Sequence, residues 1–378
     1  MDLKTLCVHG DEKKYDQTGA VSMPIFQSAT FAHPGIEQST GFDYTRVQNP
    51  TREHLERIVA RLEGGCDALA FSSGMAAIGV LLELFRPGDH IVASDDLYGG
   101  SVRYFSAISE KNGLTFDFVN TSDLEKVMAC IRPETKAVFV ETPTNPMMHV
   151  TDIQAVAGLL KGKDILLIVD NTFLTPYFQK PLSLGADVVV HSGTKYLGGH
   201  NDTLAGFLVV RDSVLSEKLR VIYKTVGSCL APFDSWLISR GIKTLAVRME
   251  KQQENALKIA KWLYDNKKVK TVYYVGLRSH PDYAVSVGQA SGFGAMISFE
   301  MENEDLARQA LENVKLIQYA ESLGGVESLI TYPILQTHAD VPRSQREAMG
   351  INGRLLRLSV GLEDAGDLIS DLQNALGD

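Results

Sequence analysis

The sequence predicts an α/β protein, a three-layer α/β/α large domain followed by a smaller C-terminal α+β domain, on three observations. Between about residues 55 and 240, β-branched apolar runs alternate with helical patterns, the signature of a parallel sheet covered on both faces. After Lys243 the pattern changes to a long amphipathic stretch and then apolar runs at 294–300 and 355–360, which fits a separate antiparallel sheet with its own helices. The length of 378 residues exceeds what one hydrophobic core fills, so a division into domains is expected.

In chain order, residues 1–54 carry no long helix or strand pattern and are expected to form an irregular arm against a neighbouring subunit, a surface loop layer being the competing reading. Residues 55–242 are expected to hold the large domain, with strands at 68–71, 90–93, 136–140, 165–169, 187–191 and 205–210. Each is a short apolar run closed by polar or glycine-rich residues, as a strand buried on both faces requires. Residues 243–378 are expected to form the small domain, with an amphipathic helix over 250–262.

Apolar residues make up 44% of the chain and charged residues 22%, ordinary for a globular protein. The formal charge of -9, with no basic stripe, argues against a nucleic-acid partner, because a phosphate backbone calls for clustered Lys and Arg. No apolar run approaches the roughly 20 residues of a membrane helix, and residues 1–9 lack the basic-then-apolar pattern of a secretory signal. Cys7, Cys66, Cys130 and Cys229 are scattered, so neither a metal site nor a disulfide framework is expected. A cytoplasmic protein with reduced thiols is the expectation.

Ligands of open α/β sheets lie beyond the carboxyl ends of the strands, and the residues after each run suit one kind of ligand. The run 187–191 leads into Ser192-Gly193-Thr194-Lys195; an amine there is desolvated, which lowers its pKa and prepares it for Schiff-base chemistry. The run 165–169 ends in Asp170-Asn171-Thr172, where a carboxylate can hold a pyridine nitrogen protonated. Alone, such an Asp also fits a turn or cap. Ser73, Gly74 and Met75 open a helix whose unpaired amides attract a phosphate, beside the plainer reading of a Ser/Gly cap. Glu141-Thr142-Pro143-Thr144-Asn145-Pro146 makes a stiff loop that can hold Asn145 toward a ring hydroxyl. Asp96-Leu97-Tyr98-Gly99-Gly100 offers an aromatic on which a flat ring can stack.

With Tyr44-Thr45-Arg46, Asn49-Pro50-Thr51 and Arg357-Leu358-Ser359-Val360-Gly361, these segments resemble the Cys/Met-metabolism enzymes dependent on pyridoxal 5'-phosphate. The resemblance runs through essentially the whole chain. It implies the PLP-dependent transferase fold type I, aspartate-aminotransferase-like, with the cofactor in the large domain. It further implies that Lys195 forms the Schiff base and moves protons, Asp170 pairs with the pyridine nitrogen with Thr172 beside it, Tyr98 stacks on the ring and Asn145 lies near its oxygen. Ser73, Gly74, Met75, Ser192 and Thr194 would hold the phosphate. Tyr44 and Arg46 would reach the phosphate of a neighbouring subunit, in a homotetramer built as a dimer of dimers.

Arg357 matches the residue that grips a substrate α-carboxylate; an arginine inside an apolar run calls for a desolvated anion, a structural ion pair being the alternative. Ser322 would assist Arg357 or orient Lys195. Tyr98 and Asn145 also face the substrate. Asp43 and Glu321 match the acidic pair of relatives that handle cystathionine, and Gly100 stands where methionine γ-lyases carry cysteine. These matches imply small amino-acid substrates and γ-replacement, forming L-cystathionine from an O-acylhomoserine and L-cysteine. Cystathionine γ-lyase, O-acetylhomoserine sulfhydrylase and β-lyase are the alternatives. A catalytically retired regulator is disfavoured, since Lys195, Asp170 and Arg357 are all present.

Overall fold

Short apolar segments, most of them rich in valine and isoleucine, form the large sheet because such residues can be buried on both of its faces. In the computed structural model, which describes residues 1–10, 18–339, 341 and 343–377, these are β1 (Asp67–Phe71), β2 (His90–Ser94), β3 (Thr115–Val119), β4 (Thr135–Glu141), β5 (Leu166–Asp170), β6 (Val188–Ser192) and β7 (Gly206–Val210). They make one sheet in the order β1-β7-β6-β5-β4-β2-β3.

The sheet is not wholly parallel as the sequence predicts. β7 runs antiparallel to both β1 and β6. Ser192 pairs with Gly206, so the connection 193–205, which carries Lys195 in a series of turns and no helix, begins and ends at the same edge of the sheet. Without a crossover the returning strand must be antiparallel. β3 escapes the sequence pattern for another reason: Thr115-Phe116-Asp117-Phe118-Val119 alternates on a half-exposed edge and shows no continuous apolar run.

The N-terminal segment is less irregular than expected. It contains a helix Leu3–His9, and the helix Pro50–Glu63 starts within it, crossing the predicted boundary at 54. Asn49 caps that helix by accepting from the Thr51 and Arg52 amides, with Pro50 at its first position, a recognisable start signal. The stretch 11–17 of the predicted arm lies outside the described residues.

The second sheet comprises β8 (Val269–Tyr273), β9 (Met296–Met301), β10 (Gln318–Tyr319), β11 (Leu329–Thr331) and β12 (Leu355–Ser359), in the order β10-β11-β12-β9-β8. It is antiparallel except at β10 and β11, which pair parallel. The helix Leu245–Asp265 is longer than the predicted 250–262 and buries Leu245, Met249, Ala256, Ile259 and Leu263 at helical spacing. One apolar cluster runs from Val189 and Phe207 of the large sheet to Leu356 and Leu358 of the small one. Among the described residues no helix is long and apolar enough to cross a membrane.

One close approach holds a helix start against the sheet. A Cβ added at Gly206 would lie 2.1 Å from the Ser73 carbonyl oxygen and 2.7 Å from the Gly74 nitrogen. Both atoms are backbone, so neither can swing aside. Gly206→Ala is therefore expected to cost about 1–3 kcal/mol through overpacking, measured as a lowered urea midpoint; an unchanged midpoint would show that the strand and helix can separate freely.

Candidate active site

A cavity of about 340 Å³ opens beyond the carboxyl ends of β1, β2, β4, β5 and β6 and is closed by β12 and residues 321–323. Ser73, Gly74, Met75, Tyr98, Asn145, Asp170, Thr172, Ser192, Thr194, Lys195, Glu321, Ser322 and Arg357 all line it. Asp43, Tyr44 and Arg46 do not.

One end is built for an anion. Ser73 caps the helix Gly74–Leu82 by accepting the Ala76 amide at 3.0 Å, and Gly74 and Met75 form the first turn above it, where the helix carries partial positive charge. Gly74 lies close to Ser192, whose Cβ would be 3.3 Å from a Cβ on that glycine. The Thr172 hydroxyl accepts the Ser192 amide at 2.9 Å and donates to Asp170 Oδ1 at 2.6 Å. The Thr194 hydroxyl accepts the Ala205 amide at 3.0 Å. Strand ends that supply anion donors are thus fastened to the strand end that supplies the carboxylate.

Asp170 keeps some surface open to the cavity, yet its carboxyl is held above the usual range by burial, against the opposing pull of the Thr172 hydroxyl and amide. Such a group is stabilised in its ionised form by a cationic N–H brought against it. Lys195 Nζ donates to Ser322 Oγ at 2.8 Å. Burial lowers its pKa to about 8, helped by the Arg357 charge and opposed by Glu321. A good fraction of the amine is therefore neutral, and nucleophilic, near neutral pH.

Arg357 is 2% exposed, and burial lowers its pKa to about 10. Among the described residues its partners are all neutral: Asn145 Oδ1 at 2.8 Å, the Ser322 carbonyl at 3.1 Å and the Thr331 hydroxyl at 3.1 Å. Its Nε has no partner. Among the described residues no carboxylate bonds it, so the structural ion pair that the sequence left open is not found there; Glu141 and Glu321 act on it only through their charges, and a buried guanidinium with no bonded anion beside a cavity suits an incoming carboxylate. Ser322 serves both neighbours, Lys195 through its hydroxyl and Arg357 through its carbonyl, from a backbone φ of 102°. The Asn145 amide oxygen is committed to Arg357, a link across 212 positions that the sequence does not reveal.

Tyr98 is 44% exposed and its ring covers Gly100, where a Cβ would lie 2.4 Å from the ring edge. Any side chain at that position would displace the tyrosine. Lining residues that the sequence analysis did not single out are Glu141, Ser101, Phe173, Leu204 and Thr337 among others. Glu141 had a signal, its place at the end of a strand run. Thr337 had none, because it belongs to an irregular segment of the small domain.

Asp43, Tyr44 and Arg46 cluster elsewhere. Asp43 accepts the Ser39 hydroxyl at 3.1 Å and lies 3.6 Å from His33 Nε2. The Arg46 guanidinium stands 5.6 Å from the centroid of the half-exposed Tyr44 ring and donates to the Lys224 carbonyl. Among the described lining residues the only cationic side chains are Lys195 and Arg357, so the anion end receives none from its own chain.

The arrangement of anion donors, buried carboxylate, desolvated amine and free guanidinium fits a phosphorylated pyridine aldehyde together with an amino acid. The profile of the Cys/Met metabolism PLP-dependent enzymes matches residues 4–377. The chain is 49% identical over 376 residues to a cystathionine gamma-lyase of Bacillus subtilis (strain 168), covering 100% of this chain and 99% of that protein. It is 50% identical to a cystathionine gamma-synthase/O-acetylhomoserine (thiol)-lyase of the same organism, covering 95% and 92%. The crystal structure of cystathionine gamma-lyase from Lactobacillus plantarum complexed with L-serine superposes with a TM-score of 0.96 at 45% identity, covering 99% and 98%. Cystathionine γ-synthases, γ-lyases and β-lyases all occur among relatives 43 to 50% identical. The architecture is fold type I of the PLP-dependent enzymes, and pyridoxal 5'-phosphate is the cofactor. A match that spans both domains, with about half of all positions identical, makes this chain a member of the Cys/Met metabolism family of PLP-dependent enzymes.

Proposed function

We propose that this enzyme catalyses γ-replacement on an O-acylated homoserine, breaking the Cγ–O bond and forming a Cγ–S bond to L-cysteine, with L-cystathionine and a carboxylic acid as products. The observation that carries the reading is Glu321, which lines the cavity beside Ser322 and whose charge acts on both Lys195 and Arg357. An α-carboxylate gripped by Arg357 leaves this acidic rim to meet the ammonium of a second amino acid. By the family resemblance Asp43 of a neighbouring subunit would supply the other half of the acidic pair, and aspartate there resembles the γ-synthases more than the γ-lyases, which usually carry glutamate. γ-Elimination of cystathionine is the second reading, supported by the relative of that activity at 49% identity.

The bound cofactor supplies an electron sink that makes the substrate's Cα and then Cβ hydrogens acidic. Asp170 holds the pyridine nitrogen protonated. Lys195 Nζ, placed by the Ser322 hydroxyl, takes the Cα proton and then one Cβ proton and returns both once the Cγ–S bond has formed, while the thiol proton replaces the one that Tyr98 gives up. Tyr98 is the acid for the departing acyl oxygen. Arg357 binds the α-carboxylate through its planar fork, which Asn145 and Thr331 orient. Ser73, Gly74, Met75, Ser192 and Thr194 hold the phosphate through amides and hydroxyls.

Among the described lining residues none beyond Lys195 and Arg357 offers a cation to a phosphate dianion in this pocket, which supports a shared site. Tyr44 and Arg46 of a second copy complete it, so the working unit is at least a dimer; a tetramer of two dimers rests on the resemblance.

Mass spectrometry of O-acetylhomoserine with cysteine, beside cystathionine alone and with Lys195→Ala as the blank, is expected to show cystathionine accumulating in the first tube. Faster release of 2-oxobutanoate and cysteine in the second would assign the γ-lyase reading. The rate at which cofactor-free enzyme captures pyridoxal 5'-phosphate is expected to rise with pH and level off above about 8, as the depressed Lys195 amine loses its proton. A rate still climbing at about pH 10 would mean an ordinary lysine. Arg46→Ala and Arg357→Ala homo-oligomers are each expected to lose on the order of 100-fold in kcat/KM. Mixing them should restore one intact site per hybrid dimer, and no recovery despite demonstrated subunit exchange would contradict a shared site.

A further inference from the structure

Two loops that meet at the cavity are fastened to each other in both directions. The loop that follows β2 carries Tyr98 and the loop that follows β4 carries Asn145. Glu141, at the end of β4, accepts the backbone N–H of Tyr98 at 3.1 Å. Asp96, on the Tyr98 loop, accepts the backbone N–H of Met147 at 3.0 Å. Each loop lends a carboxylate to the other's main chain, and both carboxylates are buried, Glu141 at 7% and Asp96 at 2% exposure.

Burial pushes Asp96 up to about 6 and raises Glu141 well above the usual range, with the Asp170 charge adding to the latter. Carboxyl groups are costly to keep in such places, and apolar side chains of similar volume would be cheaper if packing alone were at stake. The same junction is closed from the small domain. The His338 ring is buried at 1% exposure with the Leu97 and Asn145 carbonyls facing it. The Thr337 carbonyl comes so near Gly99 that a Cβ there would lie 2.2 Å from it.

We infer that Glu141 and Asp96 form a reciprocal lock that fixes the Tyr98 ring in register with the Asn145–Arg357 pair, which makes Glu141 a positioning residue and not a proton carrier. The inference rests on the role proposed above for Tyr98. Its geometric content is wider: the acid that serves the leaving group and the fork that holds the α-carboxylate are set to one another by main-chain bonds, whichever thiol or water completes the reaction.

The holoenzyme tests this through pairs of variants. Glu141→Gln and Asp96→Asn keep an acceptor for the amide and remove the charge, whereas Glu141→Leu and Asp96→Leu remove the acceptor. Circular dichroism of the bound cofactor's visible band reports the placement of Tyr98 against the ring, independently of turnover. The Gln and Asn variants are expected to keep that band and to hold kcat within about 3-fold, while each Leu variant weakens the band and lowers kcat about 10- to 100-fold, the effect of one unsatisfied buried donor. The double Leu variant should be little worse than the worse single, since either loss opens the same lock. Losses that multiply, or a Glu141→Gln variant as impaired as Glu141→Leu, would overturn the inference. If the Leu variants do not fold, Gln and Asn decide it alone: a retained band and kcat support the lock, and loss of either overturns it. The band remains readable if product analysis assigns the lyase reading, so the two failures are separable.

Discussion

Arg357 is a full charge inside an apolar strand, bonded only to an amide oxygen, a carbonyl and a hydroxyl among the described residues. Keeping that charge dry and uncancelled is the constraint around which the site is arranged. Neutral partners fix the fork's direction without neutralising it, and the missing bond at Nε leaves it wanting an anion. The positive field also reaches Lys195 and, with burial, helps to keep that amine from holding its proton. One buried cation thus helps to activate the amine and, in the role proposed for it, would also recognise the substrate.

The carboxyl side is organised by the same logic. Asp170 and Glu141 lie near enough for the charge of one to raise the other; the Tyr98 amide satisfies Glu141, and in the role proposed for Asp170 a cationic ring nitrogen would satisfy that carboxylate. Thr172 links Asp170 to the Ser192 amide, which ties the carboxylate to the strand that leads into Lys195. Asp170 and Ser192 are the last residues of β5 and β6, where backbone pairing limits drift to less than a loop would allow, and Lys195 follows three residues beyond Ser192.

Much of this is legible in the sequence because a strand buried on both faces needs a continuous apolar run, and the first polar residue after it must stand at the sheet's edge. Asp170, Ser192 and Lys195 are found that way, and Glu141 could have been. What is illegible depends on partners far along the chain. Nothing near Asn145 indicates Arg357, and nothing near Gly206 indicates that Ser73 leaves no space for a side chain. The direction of β7 was missed because alternation of strand and helix implies crossovers, and 193–205 contains turns instead. The helix at Pro50 was missed although Asn49-Pro50 marks its start, because attention to apolar runs passes over a helix whose exposed face is charged.

The apolar cluster that joins Val189 and Phe207 to Leu356 and Leu358 has a mechanical consequence. A rigid-body hinge between the two sheets would split this cluster and expose its faces to water, at about 25 cal/mol for each Å² opened. Wide clamshell motion is therefore costly, because β6 and β12 both pack into the same apolar cluster. The strand that leads into Lys195 and the strand that carries Arg357 thus share one core, which makes the spacing between the amine and the guanidinium a property of the folded chain.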